Sequence, residues 1–191
     1  MRGVVSVDVY SLPPDLPVPE DDGACDALPG AAIPALLLPS SQGPVDLAAL
    51  ARERLVLYVY PRSGRPGVPL LPGWDSIPGA RGCTPQSCSF RDHFAELKAL
   101  GVGHLFGLST QDTGYQREAV DRLHLPFEIL SDAGLQLTRA LRLPTFEVAG
   151  KTLLKRMMLI VDDGIITKTF YPVFPPDESA AVVASWLRAS R

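Results

Sequence analysis

An α/β fold with a central mixed sheet and flanking helices is what this sequence predicts, and three observations carry the prediction. From Leu55 onward, short apolar runs alternate with helical patterns in the order strand, helix, strand, helix, strand, helix. In one sheet that order means parallel strands joined by right-handed crossovers. Near the C-terminus the pattern changes to two apolar runs around Asp162-Asp163-Gly164, a hairpin signal. A parallel core with an antiparallel hairpin added is the arrangement of the thioredoxin-like class. At 191 residues the chain is long enough for one domain with a sizeable core and too short to expect two, so residues 1–191 are read as a single domain.

Residues 1–44 form a proline-rich arm in which Pro13, Pro14, Pro17, Pro19, Pro29, Pro34, Pro39 and Pro44 interrupt any regular element. Val4 to Tyr10 and Ala35 to Leu38 are short strand candidates, and the rest is expected extended over the surface. Asp46 to Arg52 reads as one or two helical turns. Leu55-Val56-Leu57-Tyr58-Val59-Tyr60, stopped by Pro61, is continuously apolar, the mark of a central strand buried on both faces. The carboxyl end of such a strand is where open α/β sheets place their reactive groups. Residues 62–81 are crowded with Gly and Pro and carry Trp74, and a loop of that length is usually functional or mobile. It joins the strand to the next helix and is expected to form one wall of a site, with Trp74 a hydrophobic pin.

That next helix starts within Gly82-Cys83-Thr84-Pro85-Gln86-Ser87-Cys88-Ser89-Phe90-Arg91-Asp92. Thr84 reads as its N-cap and Pro85 as its first residue, and Phe90, Phe94, Leu97 and Leu100 continue it to a stop at Gly101. His104 to Ser109 is a second buried strand. Thr113 to Leu123 is a helix with Tyr115, Ala119, Val120 and Leu123 on one side. Phe127 to Leu130 is a third strand and Leu135 to Leu141 a third helix. Arg156 to Val161 and Ile165 to Phe170 make the hairpin, and Glu178 to Arg188 closes the chain as a helix burying some of Ala181, Val182, Ala184, Trp186 and Leu187.

Two of the three cysteines fall at the start of the cysteine helix. A thiol there meets unpaired backbone N–H groups and the positive end of the helix dipole, and both favour thiolate over thiol. Cys83 is therefore placed to be a nucleophile. Cys88, five positions on, lacks that advantage. In a regular helix such a spacing separates Cα atoms by roughly 8 to 9 Å, beyond the roughly 7 Å at which a disulfide closes. A bond between them requires the first turn to unwind. The competing readings are two small apolar core residues or an incomplete zinc shell, which lacks a second cysteine pair or suitably spaced histidines. His93, His104 and His124 are scattered and read as surface or packing residues. Cys25 follows Glu20-Asp21-Asp22 with no helix start or basic residue beside it, and no catalytic role is expected of it.

Several segments together resemble the Q-type peroxiredoxins, the bacterioferritin comigratory proteins. These are Tyr60-Pro61, the run from Gly82 to Asp92, Gly107-Leu108-Ser109-Thr110, the run from Leu125 to Asp132, and Arg156 opening the hairpin strand that ends at Asp162. The resemblance runs from about Val45 to the C-terminus and leaves the arm outside. It implies a peroxiredoxin version of the thioredoxin-like fold and a thiol peroxidase acting on hydrogen peroxide and organic hydroperoxides. It makes Cys83 the peroxidatic cysteine, Cys88 the resolving cysteine in an intramolecular disulfide, Arg156 the supporting guanidinium and Pro61 the shield of the thiolate. It also implies thioredoxin or a similar dithiol as reductant, no metal or organic cofactor, and a monomer, with a dimer possible.

Two departures stand out: the 62–81 insertion separates Pro61 from Cys83, and Ala80 stands where the family has a Thr or Ser whose hydroxyl bonds thiolate and peroxide. Ser76, Ser63 or a backbone group are the candidate substitutes. Arg81 is the rival to Arg156 for the nearer cation, and without the resemblance Arg156 reads as a strand-edge arginine paired with a carboxylate. Two rival functions remain, a thiol-disulfide oxidoreductase, for which Leu143-Pro144-Thr145 is the relevant turn, and a non-enzymatic redox sensor. A net charge of -3 without a basic cluster argues against nucleic acid or an anionic membrane as partner. No apolar run reaches membrane-spanning length and no signal-peptide pattern opens the chain, so a cytoplasmic protein is expected.

Overall fold

The computed structural model describes residues 8–190. In chain order its elements are β1 (Leu37–Pro39), β2 (Pro44–Asp46), α1 (Leu47–Leu50), β3 (Leu55–Val59), a 3-10 turn (Trp74–Ser76), α2 (Cys83–Asp92), α3 (Phe94–Ala99), β4 (His104–Ser109), α4 (Thr113–Leu123), β5 (Glu128–Ser131) and α5 (Gln136–Leu141). There follow β6 (Thr145–Val148), β7 (Lys151–Leu154), β8 (Met157–Asp162), β9 (Ile165–Phe170), a second 3-10 turn (Pro176–Glu178) and α6 (Ser179–Ala189). The main sheet runs β5-β4-β3-β8-β9. The β3–β4 and β4–β5 pairs are parallel, while β8 lies antiparallel to both β3 and β9. This is the thioredoxin-like arrangement that the strand and helix order predicts.

β3 sits in the middle because every residue of it is apolar and both its faces are covered. Leu55, Leu57 and Val59 point into one cluster with Leu137, Leu159 and Val161. Val56, Tyr58 and Tyr60 point into the other with Phe90, Leu97, Ile160 and Val183. The period of two in a strand thus divides one apolar run between two cores. Gly107 on β4 is required by this packing, since a Cβ there would stand 2.7 Å from the Tyr58 hydroxyl.

The structure alters several sequence expectations. α2 begins at Cys83, with Gly82 as its cap in the left-handed region at φ 101°, so neither Thr84 caps the helix nor Pro85 opens it. Pro85 is tolerated because first-turn N–H groups have no helical partner to lose. The single helix expected from there to Gly101 breaks at His93 into α2 and α3. On α4 Gln116, not Tyr115, joins the expected Ala119, Val120 and Leu123 on the buried side; its amide donates to Ser109 Oγ at 3.0 Å and Leu130 O at 2.8 Å. α6 buries Ala180, Val183, Ala184 and Leu187, leaving Val182 exposed.

The arm is more than a surface cover. Leu37–Pro39 pairs with Pro44–Asp46, and Cys25, Leu28, Ile33 and Leu38 insert into the core beneath β3. The prolines remove backbone donors without preventing the apolar residues between them from packing. Of the strand expected over Val4 to Tyr10, residues 4–7 lie outside the described part, and 8–10 are not strand. The insertion folds onto β6 and β7: Trp74 is buried with Ala80 and Leu153, its ring 6.4 Å from that of Phe146. Trp74 therefore does act as a pin. Leu143-Pro144-Thr145 enters the β6–β7 hairpin, which sequence patterning missed. Among the described residues no helix is long and apolar enough to cross a membrane.

Candidate active site

The site assembles at the carboxyl end of β3. Antiparallel pairing sets Val59 opposite Met157, so Arg156, one residue before β8, arrives beside Tyr60 and Pro61 where β3 ends. The insertion returns the chain to the same place and delivers Cys83 as the first residue of α2. Gly82 is needed for that entry: a side chain there would collide with Pro176 and approach Leu12 Cδ2 to 2.8 Å, quite apart from the positive φ.

Cys83 is buried, and its sulfur lies 3.3 Å from Arg156 Nη2, which donates to it. The guanidinium is itself fixed by its neighbours. Nη2 also donates to the carbonyls of Ala80 at 3.2 Å and Arg81 at 3.0 Å, and Nη1 donates to Gln86 Oε1. Gln86 is three residues after Cys83, hence on the same side of the helix, and it holds the arginine toward the sulfur. Sequence reading passed over it because a glutamine in a first turn carries no signal of its own. When protonated, the thiol has an acceptor in Ala80 O at 3.5 Å.

Arg156, not Arg81, is the cation at the sulfur. Arg81 turns away to Asp75 Oδ1 at 3.0 Å and to the carbonyl of Asp8 at 2.6 Å, tying the insertion to the arm. Neither serine proposed to replace the missing hydroxyl at Ala80 is free: Ser63 Oγ donates to Gln111 Oε1 at 3.1 Å and Ser76 Oγ to Gly73 O at 2.7 Å. The Ala80 carbonyl, an acceptor, cannot act as a donor. Pro61 is buried directly after Tyr60. A cavity of about 10 Å³ opens over the sulfur, lined by Val9, Trp74, Arg81, Cys83 and Thr84 among others. Val9 places the arm, outside the resembling region, on the cover of the site.

Cys88 lies on the same helix, half-buried, and both thiols are free. The five-residue helical spacing holds the two Cα atoms roughly 8 to 9 Å apart, so this is a fully folded, reduced arrangement. Burial pushes the Cys88 thiol up, while nearby Arg91 and Arg122 pull it down and Asp92 adds to the rise. Beyond it, Phe90 stacks on Tyr58 with ring centroids 4.5 Å apart, and Ala180 N donates to Ser89 Oγ at 3.3 Å. Those contacts anchor the second half of α2 to β3 and α6.

Cys25 is placed elsewhere, in the core on the other face of the sheet, its sulfur 3.9 Å from Met157 Sδ. Burial first, then Asp22, Asp21 and Asp26, push its thiol up to about 12. The histidines are occupied locally: His93 Nδ1 lies 2.9 Å from Ser89 O, and His124 ends α4 in the left-handed region.

Comparison with known proteins gives a consistent picture. The family model described as Redoxin matches residues 28–184, so the matching region begins within the arm and not at Val45. The chain is 27% identical over 184 residues to peroxiredoxin Q, chloroplastic, of Oryza sativa subsp. japonica, covering 93% of this chain and 76% of that protein. Against the same-named protein of Arabidopsis thaliana the figures are 25% over 162 residues, 84% and 67%. Among solved structures, peroxidoxin BcpB of Mycobacterium tuberculosis superposes with a TM-score of 0.69 at 24% identity, over 85% of this chain and 97% of that one. Peroxiredoxin Q of Xanthomonas campestris gives 0.62 at 21%, over 92% and 98%.

Proposed function

We propose, because the chain belongs to the Redoxin family and is a Q-type peroxiredoxin, that its thiol peroxidase chemistry runs through Cys83 as peroxidatic cysteine and Cys88 as resolving cysteine. The observation that carries this assignment is the 3.3 Å hydrogen bond from Arg156 Nη2 to Cys83 Sγ at the start of a helix. A fixed guanidinium and first-turn N–H groups together stabilise negative charge on the sulfur and on an oxygen beside it.

The cycle begins with Cys83 thiolate attacking the terminal oxygen of a hydroperoxide. The S–O bond forms with the sulfur's electron pair as the O–O bond breaks, and the leaving oxygen takes a proton to depart as water or an alcohol. Arg156, held by Gln86 and two carbonyls, meets the growing charge on that oxygen without having to reorganise. Pro61 shields the thiolate from water. The first turn of α2 then unwinds so that Cys88 can attack the sulfenic sulfur, forming the S–S bond and releasing water. Thioredoxin, or a dithiol like it, returns two electrons by exchange.

Hydrogen peroxide and organic hydroperoxides are the substrates of this reading, in a monomeric cytoplasmic enzyme. The test is peroxide consumption by the purified protein coupled to a thioredoxin system, with a mass map of the peroxide-treated chain. Consumption with a Cys83–Cys88 linkage is expected. Turnover with a bond through Cys25, or no turnover, would overturn the assignment.

A further inference from the structure

Around Cys83 several buried polar atoms have no protein partner: Tyr60 Oη, Thr84 Oγ1, Gln86 Nε2 and Arg156 Nε. Buried polar groups are hydrogen-bonded in the great majority of cases, so orphans gathered at one sulfur call for a polar ligand. Two of the four are hydroxyls, and of these only Thr84 belongs to a residue lining the cavity at Cys83. Thr84 is buried, adjoins Cys83 in the first turn of α2, and shares that cavity of about 10 Å³ with it. Such a volume is about what one water oxygen occupies.

Ala80 carries no hydroxyl, and Ser63 and Ser76 are committed to Gln111 and Gly73. Thr84 has no role as a helix cap, because Gly82 takes that position. We propose that the Thr84 hydroxyl is a catalytic donor to the bound hydroperoxide, completing with Arg156 a two-sided cradle for the oxygen that leaves. In the step the sulfur's pair makes the S–O bond, the O–O pair goes to the departing oxygen, and Thr84 O–H and Arg156 share that charge until a solvent proton neutralises it. The inference rests on the peroxidase reading above and adds to it the residue that replaces the absent hydroxyl.

The experiment compares full-length wild type, Thr84→Val and Thr84→Ser in two assays: kcat/KM for hydrogen peroxide, and the rate of Cys83 alkylation by iodoacetamide, which needs the thiolate but no oxygen cradle. Removing one such donor is expected to lower kcat/KM of Thr84→Val by about 10²-fold. The alkylation rate should stay within about twofold of wild type, since the lost donor acts on the transition state of O–O cleavage. Thr84→Ser should recover most of the lost kcat/KM. Equal kcat/KM in wild type and Thr84→Val overturns the proposal, and so does a parallel fall in both assays, which marks a structural role. A wild-type protein that consumes no peroxide at all would instead defeat the peroxidase reading, so the two failures are distinguishable.

Discussion

Cys83 and Cys25 are 3% and 4% exposed, nearly the same burial, yet they occupy opposite faces of the central sheet and opposite chemical settings. Cys83 has a guanidinium at 3.3 Å and opens α2 at the positive end of the helix dipole. Cys25 has a thioether at 3.9 Å and three aspartates nearby, and its thiol is pushed up to about 12. Equal burial therefore does not make equal settings: at Cys25 burial is the first cause of the rise and the aspartates add to it, whereas Cys83 has a cation within hydrogen-bonding distance.

That contrast can be attacked most strongly at Cys83 itself: Cys83→Ser should reduce peroxide consumption to background, while Cys25→Ser should retain the wild-type rate in the same coupled assay. Next in size is Arg156→Met, which keeps the stem and removes the cation. Losing a preorganised donor of this kind is expected to cost about 10²- to 10³-fold in peroxide kcat/KM. Iodoacetamide alkylation of Cys83 should slow as well, which sets this variant apart from Thr84→Val. An unchanged alkylation rate would mean that the helix terminus alone supports the sulfur.

Cys88→Ser sharpens the comparison differently. The first reduction of peroxide should proceed at the wild-type rate, the sulfenic acid should be trapped by dimedone, and thioredoxin-coupled turnover should fall. If turnover continues undiminished, another thiol resolves the intermediate. The smallest effect concerns Cys25 and stability. Its folded-state value lies above the ordinary 9.0, so the folded chain keeps a proton that the unfolded chain releases, and stability falls as pH rises from about 9 to about 12. Cys25→Val should flatten that part of a denaturation series. A slope equal to wild type would show that other groups govern it.

The sequence revealed the framework well where one residue pattern had one meaning. β3, β4, α4 and the β8–β9 hairpin appear within a residue of their expected bounds, because continuous apolar runs and a 3.6-residue period admit few alternatives. The β6–β7 hairpin was missed although Ala149 and Gly150, with φ of 48° and 71°, form its turn. Its strands alternate too weakly to stand out from a loop. The cysteine pair was legible as chemistry from its helix start alone. Arg156 was not: it lies 73 residues from Cys83, and only the resemblance or the β3–β8 register brings it there. Gln86 escaped for a related reason, since its importance lies in what it faces and not in its residue type, while Thr84 was read as a helix cap. Within the arm, proline punctuation hid Leu28 and Ile33, whose burial depends on a distant sheet.

The interruption at His93 leaves the two sulfurs on a ten-residue helix with its own end, separate from Phe94–Ala99. Any coil formed when sulfur meets sulfur has a built-in terminus in the downstream direction, and Phe90, wedged against Tyr58, stands guard before it. In the proposed cycle one short rod would flex per turnover, beside the strand β8 that Arg156 immediately precedes.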